Sequence, residues 1–127
     1  MSIVWSTLEE TAFSKDSLVA SFTVPRQSAW IEGHFPNDPV IPGIAMIGLV
    51  FDAIDLLGDH DGIKYVVTQL RQVRFRKKME PPMTLTVKLA PPTESRVGDG
   101  RFEIVCCGDK GAEELVCSGI AVLSIEE

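Results

Sequence analysis

From Ile44 to Leu57 the chain is apolar on nearly every side: Ile44, Met46, Ile47, Leu49, Val50, Phe51, Ala53, Ile54, Leu56 and Leu57. Pro42-Gly43 opens this stretch and Gly58 closes it, the usual start and stop signals of a helix. A helix apolar almost all round must be wrapped by other structure rather than lie on a surface. Gly48 and Asp52 interrupt it, four residues apart and therefore on one face. This is the one convincing helix of the chain, so the rest has to supply its wrapping.

Beyond the helix the pattern changes to period two. Ile63 to Lys78 reads as one long strand, and Met83, Leu85, Val87 and Leu89 alternate with Thr84, Thr86 and Lys88. Arg101 to Cys107 and Glu114 to Ile125 supply two more strands. Pro81-Pro82, Pro91-Pro92 and Gly108-Asp109-Lys110-Gly111 punctuate them as in an antiparallel meander. On the N-terminal side, a short amphipathic stretch from Thr7 to Phe13 precedes a strand from Leu18 to Val24, which Pro25 ends. Asp59-His60-Asp61-Gly62 reads as a turn, with His60 a solvated loop residue. One helix, preceded by one strand and followed by four, predicts a single α+β domain over 1–127, its antiparallel sheet curled round the helix. An open sheet leaves an edge strand for a second copy to pair with, which predicts a dimer.

Composition narrows the function classes. At 45% apolar residues the chain is built for a packed core, not for disorder. Asp52 and Asp55 interrupt the longest apolar run, so no membrane span is predicted. The start, Met1-Ser2-Ile3-Val4-Trp5, lacks the pattern of a signal peptide, which makes the cytoplasm the expected compartment. Cys106, Cys107 and Cys117 form neither a CxxC pair nor a Cys/His ligand set, and read as reduced core or interface residues without metal. A net charge of −6 argues against general nucleic-acid binding. Against that acidic background Arg71, Arg74, Arg76, Lys77 and Lys78 crowd into one strand end, a candidate dock for an acidic partner or an ordinary solvated strand end.

The loop before the helix carries the candidate chemistry. Gly33-His34-Phe35-Pro36 is followed by Pro42-Gly43, which sets a histidine in a Gly/Pro-restrained loop just ahead of a helix start. The first backbone N–H groups of a helix lack intrahelical partners and suit a carbonyl oxygen gaining negative charge. An imidazole moves protons near neutral pH. Together they point to chemistry at the carbon next to a thioester carbonyl; the bland alternative is a loop histidine ahead of a core helix.

The run from Gly33 to Gly43, Gly-His-Phe-Pro-Asn-Asp-Pro-Val-Ile-Pro-Gly, closely resembles the hotdog-fold 3-hydroxyacyl-acyl carrier protein dehydratases of fatty-acid synthesis. Val73-Arg74-Phe75-Arg76-Lys77 followed by Glu80-Pro81-Pro82 is similar to that family's second signature. The resemblance implies that His34 is the base that takes the α-proton of a 3-hydroxyacyl thioester, and that the Gly43 N–H binds the thioester oxygen. It implies that Phe35 and Pro36 shape the loop beside the acyl channel, and that sites are assembled from two chains without a cofactor. The family's helix carboxylate falls at Gly48, which instead leaves room for a ligand or close packing. Asp52, one turn further along, or a carboxylate from a partner chain are the two candidates to replace it. The implied activity is dehydration to a trans-2-enoyl thioester carried on acyl carrier protein or coenzyme A, by a homodimer or a heterodimer with a second hotdog chain. A non-catalytic acyl-thioester or carrier-protein binding subunit and a hotdog thioesterase are the alternatives.

Overall fold

In a computed structural model, which describes residues 6–14, 17–24, 43–77, 83–92, 97–107 and 112–126, one helix lies against a six-stranded antiparallel sheet. The elements are β1 (Thr7–Ser14), β2 (Ser17–Val24), α1 (Gly43–Asp61), β3 (Tyr65–Phe75), β4 (Met83–Ala90), β5 (Gly98–Cys107) and β6 (Glu113–Ile125). Their order across the sheet is β1-β2-β4-β5-β6-β3, so α1 connects β2 in one half to β3 at the far edge. The helix packs on β2, β3 and β4. Residues Leu18, Ala20, Phe22 and Val24 of β2 and Leu85, Val87 and Leu89 of β4 face it and are buried, as period-two alternation requires. Ala45, Met46, Leu49, Val50, Ala53, Ile54 and Leu57 meet them from the helix.

The sheet has one strand more than the sequence predicts. The stretch from Thr7 to Phe13 belongs to β1, which pairs with β2 from Thr7 opposite Thr23 to Ser14 opposite Ser17. A bulge between Leu8 and Glu10 breaks its alternation, so the apolar spacing no longer reads as a strand.

The helix also runs one turn past its predicted end. Gly62, not Gly58, is its terminator: it adopts φ 74°, and the Ile63 N–H donates to the Gly58 carbonyl at 3.0 Å. That is the 6→1 bond of a Schellman cap, in which a left-handed glycine satisfies the last carbonyls. Asp59, His60 and Asp61 are therefore helical. His60 is exposed but stacks flat on Phe13 of β1, ring centroids 3.9 Å apart. Nor is the helix wrapped on every side: Ile44 is 69% and Phe51 40% exposed, on the stripe that also carries Gly48, Asp52 and Asp55.

Two bulges shape β3, between Val67 and Gln69 and between Arg71 and Arg74. At the second, Gln72 takes the left-handed conformation (φ 53°) that glycine usually fills in such a bulge. The extra residue inverts the strand's parity. Before it, Leu70 lies opposite Ala121 on the core face; after it, Phe75 lies opposite the fully buried Cys117 and Arg74 opposite the outward Ser118. Gly119 fits under this bulge because a Cβ there would stand 2.6 Å from the Phe102 ring and 3.1 Å from Val73. Cys106 and Cys117 are both buried and in no disulfide. Burial pushes the Cys117 thiol up to about 11, so it stays protonated.

Candidate functional site

The parity change in β3 brings Phe75 of the second signature to Gly43, the last residue of the first. Phe75, from the Arg-Phe segment, turns toward the helix side and reaches the first residue of α1. A Cβ on Gly43 would lie 3.0 to 3.3 Å from three atoms of its ring. Glycine at the helix start thus serves close approach. The first N–H groups of α1 remain without intrahelical acceptors, with the positive end of the helix behind them. No acidic side chain occupies the first turn to neutralise that end. Phe75 itself is 51% exposed beside this point. In the sequence its only signal is an aromatic residue set between two arginines, Arg74 and Arg76, which by itself points to no role.

Of the other candidates, His34, Phe35, Pro36 and Lys78 lie outside the described residues. Gly48 is half-buried on α1, roughly 7.5 Å along the helix from Gly43 at 1.5 Å per residue. Asp52 shares its stripe one turn further on. It lines a cleft of about 290 Å³ between β1, β2 and α1, together with Ser6, Leu8, Phe22, Asp55, Leu56 and Asp59. Partial burial, and then the nearby Asp55 carboxylate, raise the Asp52 pKa above the usual aspartate value. A carboxyl in that setting holds its proton more readily than a solvated one. Among the described residues no group of three or more His, Cys, Asp and Glu is placed to hold a metal ion.

The basic segment divides into two kinds of charge. Arg71 pairs with Asp99 of β5 and Lys77 with Glu114 of β6. The Glu114 hydrogen bond raises the Lys77 pKa. These cations are partly satisfied within the chain. Arg74 and Arg76 are exposed and make no ion pair among the described residues. The Arg76 backbone N–H is anchored on the Val116 carbonyl at 2.7 Å. The bulge that points Phe75 inward leaves Arg74 on the outer face.

The likenesses to known proteins follow the same elements. A family model described as ApeI-like, ApeI dehydratase, matches residues 9–119, from β1 into β6. The 3-hydroxyacyl-acyl-carrier-protein dehydratase FabZ of Albidiferax ferrireducens is 36% identical over 73 residues, covering 51% of this chain and 48% of that protein. The match therefore spans about half the length of that relative. The FabZ of Xylella fastidiosa strain M12 is 26% identical over 117 residues, 81% of this chain and 70% of that protein. Among solved structures, the dehydratase heterocomplex ApeI:P from Xenorhabdus doucetiae superposes with a TM-score of 0.75 at 18% identity, covering 93% of this chain and 96% of that one. This likeness shows the hotdog fold. With the family match running through the helix start and through the strand that carries Phe75 to it, the chain belongs to the ApeI-like dehydratase family.

Proposed function

We propose that this chain removes water from 3-hydroxyacyl thioesters to give trans-2-enoyl thioesters, at a site that a second hotdog chain completes. The observation that carries the reading is the contact of Phe75 with the helix start at Gly43, in a member of a dehydratase family. His34 takes the proton from C2 of the acyl chain, and the electron pair moves toward the carbonyl oxygen. The Gly43 N–H and the helix behind it stabilise that oxygen as charge develops. The pair then returns to form the C2–C3 double bond as the C3–O bond breaks. An acid protonates the departing hydroxyl, which leaves as water. Phe35 and Pro36 shape the loop around the base, and Gly48 leaves room for the acyl group.

The acid is the part this chain lacks at its usual place. A carboxylate donated by a partner chain fills the role in this reading, and the fold's likeness to one chain of a dehydratase heterocomplex supports it. A second reading gives the role to Asp52, favoured by its raised carboxyl on the same helix stripe as Gly48. Against that reading, its Cα lies about 6 Å further along the helix than that of Gly48. The substrate's carrier is an acyl carrier protein in the cytoplasm, docked on Arg74 and Arg76 with Arg71, Lys77 and Lys78 beside them.

The test is turnover of 3-hydroxybutyryl thioester followed by enoyl absorbance, with free thiol measured in parallel, alone and with a hotdog partner. Dehydration lost in His34→Ala supports the assignment. Thiol release without enoyl product makes the protein a thioesterase, and binding without either product makes it an acyl-binding subunit.

A further inference from the structure

We propose that Phe75 is a positioning residue of this site: its ring, turned inward by the bulge at Gln72, fixes and dries the helix-start N–H that receives the thioester carbonyl. The inference rests on the dehydratase reading above and adds a residue to it.

Three observations carry it. First, the ring's atoms approach within 3.0 to 3.3 Å of where a Gly43 Cβ would stand, so the helix start and the ring are in direct contact with no space between them. Second, β3 reaches this arrangement only through an unfavourable conformation. Gln72 is the one non-glycine residue with positive φ among the described residues, and left-handed geometry crowds the Cβ of an L-residue against the following carbonyl oxygen. Without the inserted residue Arg74 would face the helix and Phe75 would face outward. Third, the ring is 51% exposed although it lies on the core side of the sheet, opposite the fully buried Cys117. The ring touches the helix start, and about half of the residue's surface remains for an apolar or thioester group to cover.

The physical consequence is a drier environment for one hydrogen bond. A backbone N–H beside an aromatic wall meets fewer competing waters, and its interaction with a developing oxyanion is stronger in the lower dielectric. The same contact limits how far the first turn of α1 can move. A positioning group of this kind acts on the transition state more than on ground-state binding, since the carbonyl gains its charge only as C2 loses its proton.

The experiment compares wild type, Phe75→Tyr, Phe75→Leu and Phe75→Ala. Each is saturated with butyryl-N-acetylcysteamine labelled with ¹³C at the carbonyl, a thioester with no 3-hydroxyl to lose. Isotope-edited infrared spectroscopy reads the carbonyl stretch of the bound molecule, and circular dichroism confirms that each variant is folded. The stretch should be lowered in wild type and Phe75→Tyr, and should return toward the free value in Phe75→Leu and Phe75→Ala. In turnover, kcat should fall about tenfold in Phe75→Ala with KM changed far less, a loss within the range caused by small misplacements of reacting groups. A lowered stretch retained in full by Phe75→Leu overturns the inference and leaves the dehydratase reading intact. A wild-type stretch equal to that of free thioester overturns the inference together with the role given to Gly43, while the His34→Ala assay judges the reaction itself.

Discussion

Gly58→Ala separates helix propensity from the geometry of the helix end. Glycine inside a helix is less favourable than alanine by about 1 kcal/mol, so propensity alone makes this substitution stabilising. The structure predicts the reverse. A methyl at position 58 would stand 2.6 Å from the Ile63 carbonyl oxygen and 3.6 Å from Cδ2 of Tyr65. Carbon–oxygen contacts normally begin at roughly 3.3 Å, so the backbone after Gly62 has to move by several tenths of an ångström. That movement strains the Ile63 N–H to Gly58 bond of 3.0 Å, and with it the approach of Tyr65, whose hydroxyl donates to Asp61 at 2.9 Å. Overpacking of this kind costs typically about 1–3 kcal/mol, and losing a hydrogen bond adds about 1 kcal/mol. After the propensity gain is subtracted, a net loss of about 1–3 kcal/mol remains. At about 3–5 °C per kcal/mol for a chain of this size, Tm should fall by roughly 3–15 °C. Urea titrations followed by circular dichroism, with an unchanged m-value, give the same quantity independently. A variant more stable than wild type by about 1 kcal/mol would refute the reasoning.

Three further outcomes follow from particular contacts. Gly119→Ala should lower stability by about 1–3 kcal/mol, because its methyl meets the buried Phe102 ring at 2.6 Å; the loss should shrink in a Phe102→Leu background, and equal losses in both backgrounds would contradict the packing. Asp52, with its folded pKa raised by burial and by Asp55, contributes stability that is present below its unfolded pKa and is lost as pH rises through its folded pKa. The urea midpoint of Asp52→Asn relative to wild type should therefore be higher at pH 7 than at pH 3, and an unchanged or opposite difference would show that the carboxyl is not perturbed as described. Arg74→Glu with Arg76→Glu should weaken binding of an acyl carrier protein more than Lys77→Glu, which removes a cation already paired with Glu114, and added salt should weaken the wild-type complex. Calorimetric titration showing equal affinities would return these arginines to a solvated strand end.

The central helix, the four strands after it and the glycine at the helix start were all legible in the amino-acid order. Each is written in local periodicity or in a start signal. What escaped depends on insertions that local periodicity cannot show. The bulge at Leu8/Glu10 disguises β1, and the two bulges in β3 space its core-facing Tyr65, Val67, Leu70 and Phe75 irregularly. Nothing in the letter Q announces that Gln72 takes a position usually given to glycine. Gly58 reads as a terminator because glycine both ends helices and permits close packing; only the position of the Ile63 carbonyl tells the two apart. The basic cluster likewise reads as uniform in the sequence, because the ion pairs of Arg71 with Asp99 and of Lys77 with Glu114 join residues far apart in the chain. Of the candidate site, the sequence marked Gly43, Gly48 and Asp52, but it could not show Phe75 closing on Gly43.

The most direct measurement of the central claim is the rate of dehydration by Gly48→Glu relative to wild type, each purified alone. If the site lacks only its acid, the new carboxyl stands where the family carries one, and burial raises its pKa toward the protonated form that donates to a leaving hydroxyl. Turnover should rise by about 10²-fold, the low end of what a general acid contributes. The gain should disappear when His34→Ala is added. A wild type already fully active alone, and inactivated by Asp52→Asn, would contradict the claim that a partner completes the site and would make Asp52 the acid. No gain in a folded Gly48→Glu variant that still binds thioester would contradict the claim that the missing carboxylate is what limits this chain.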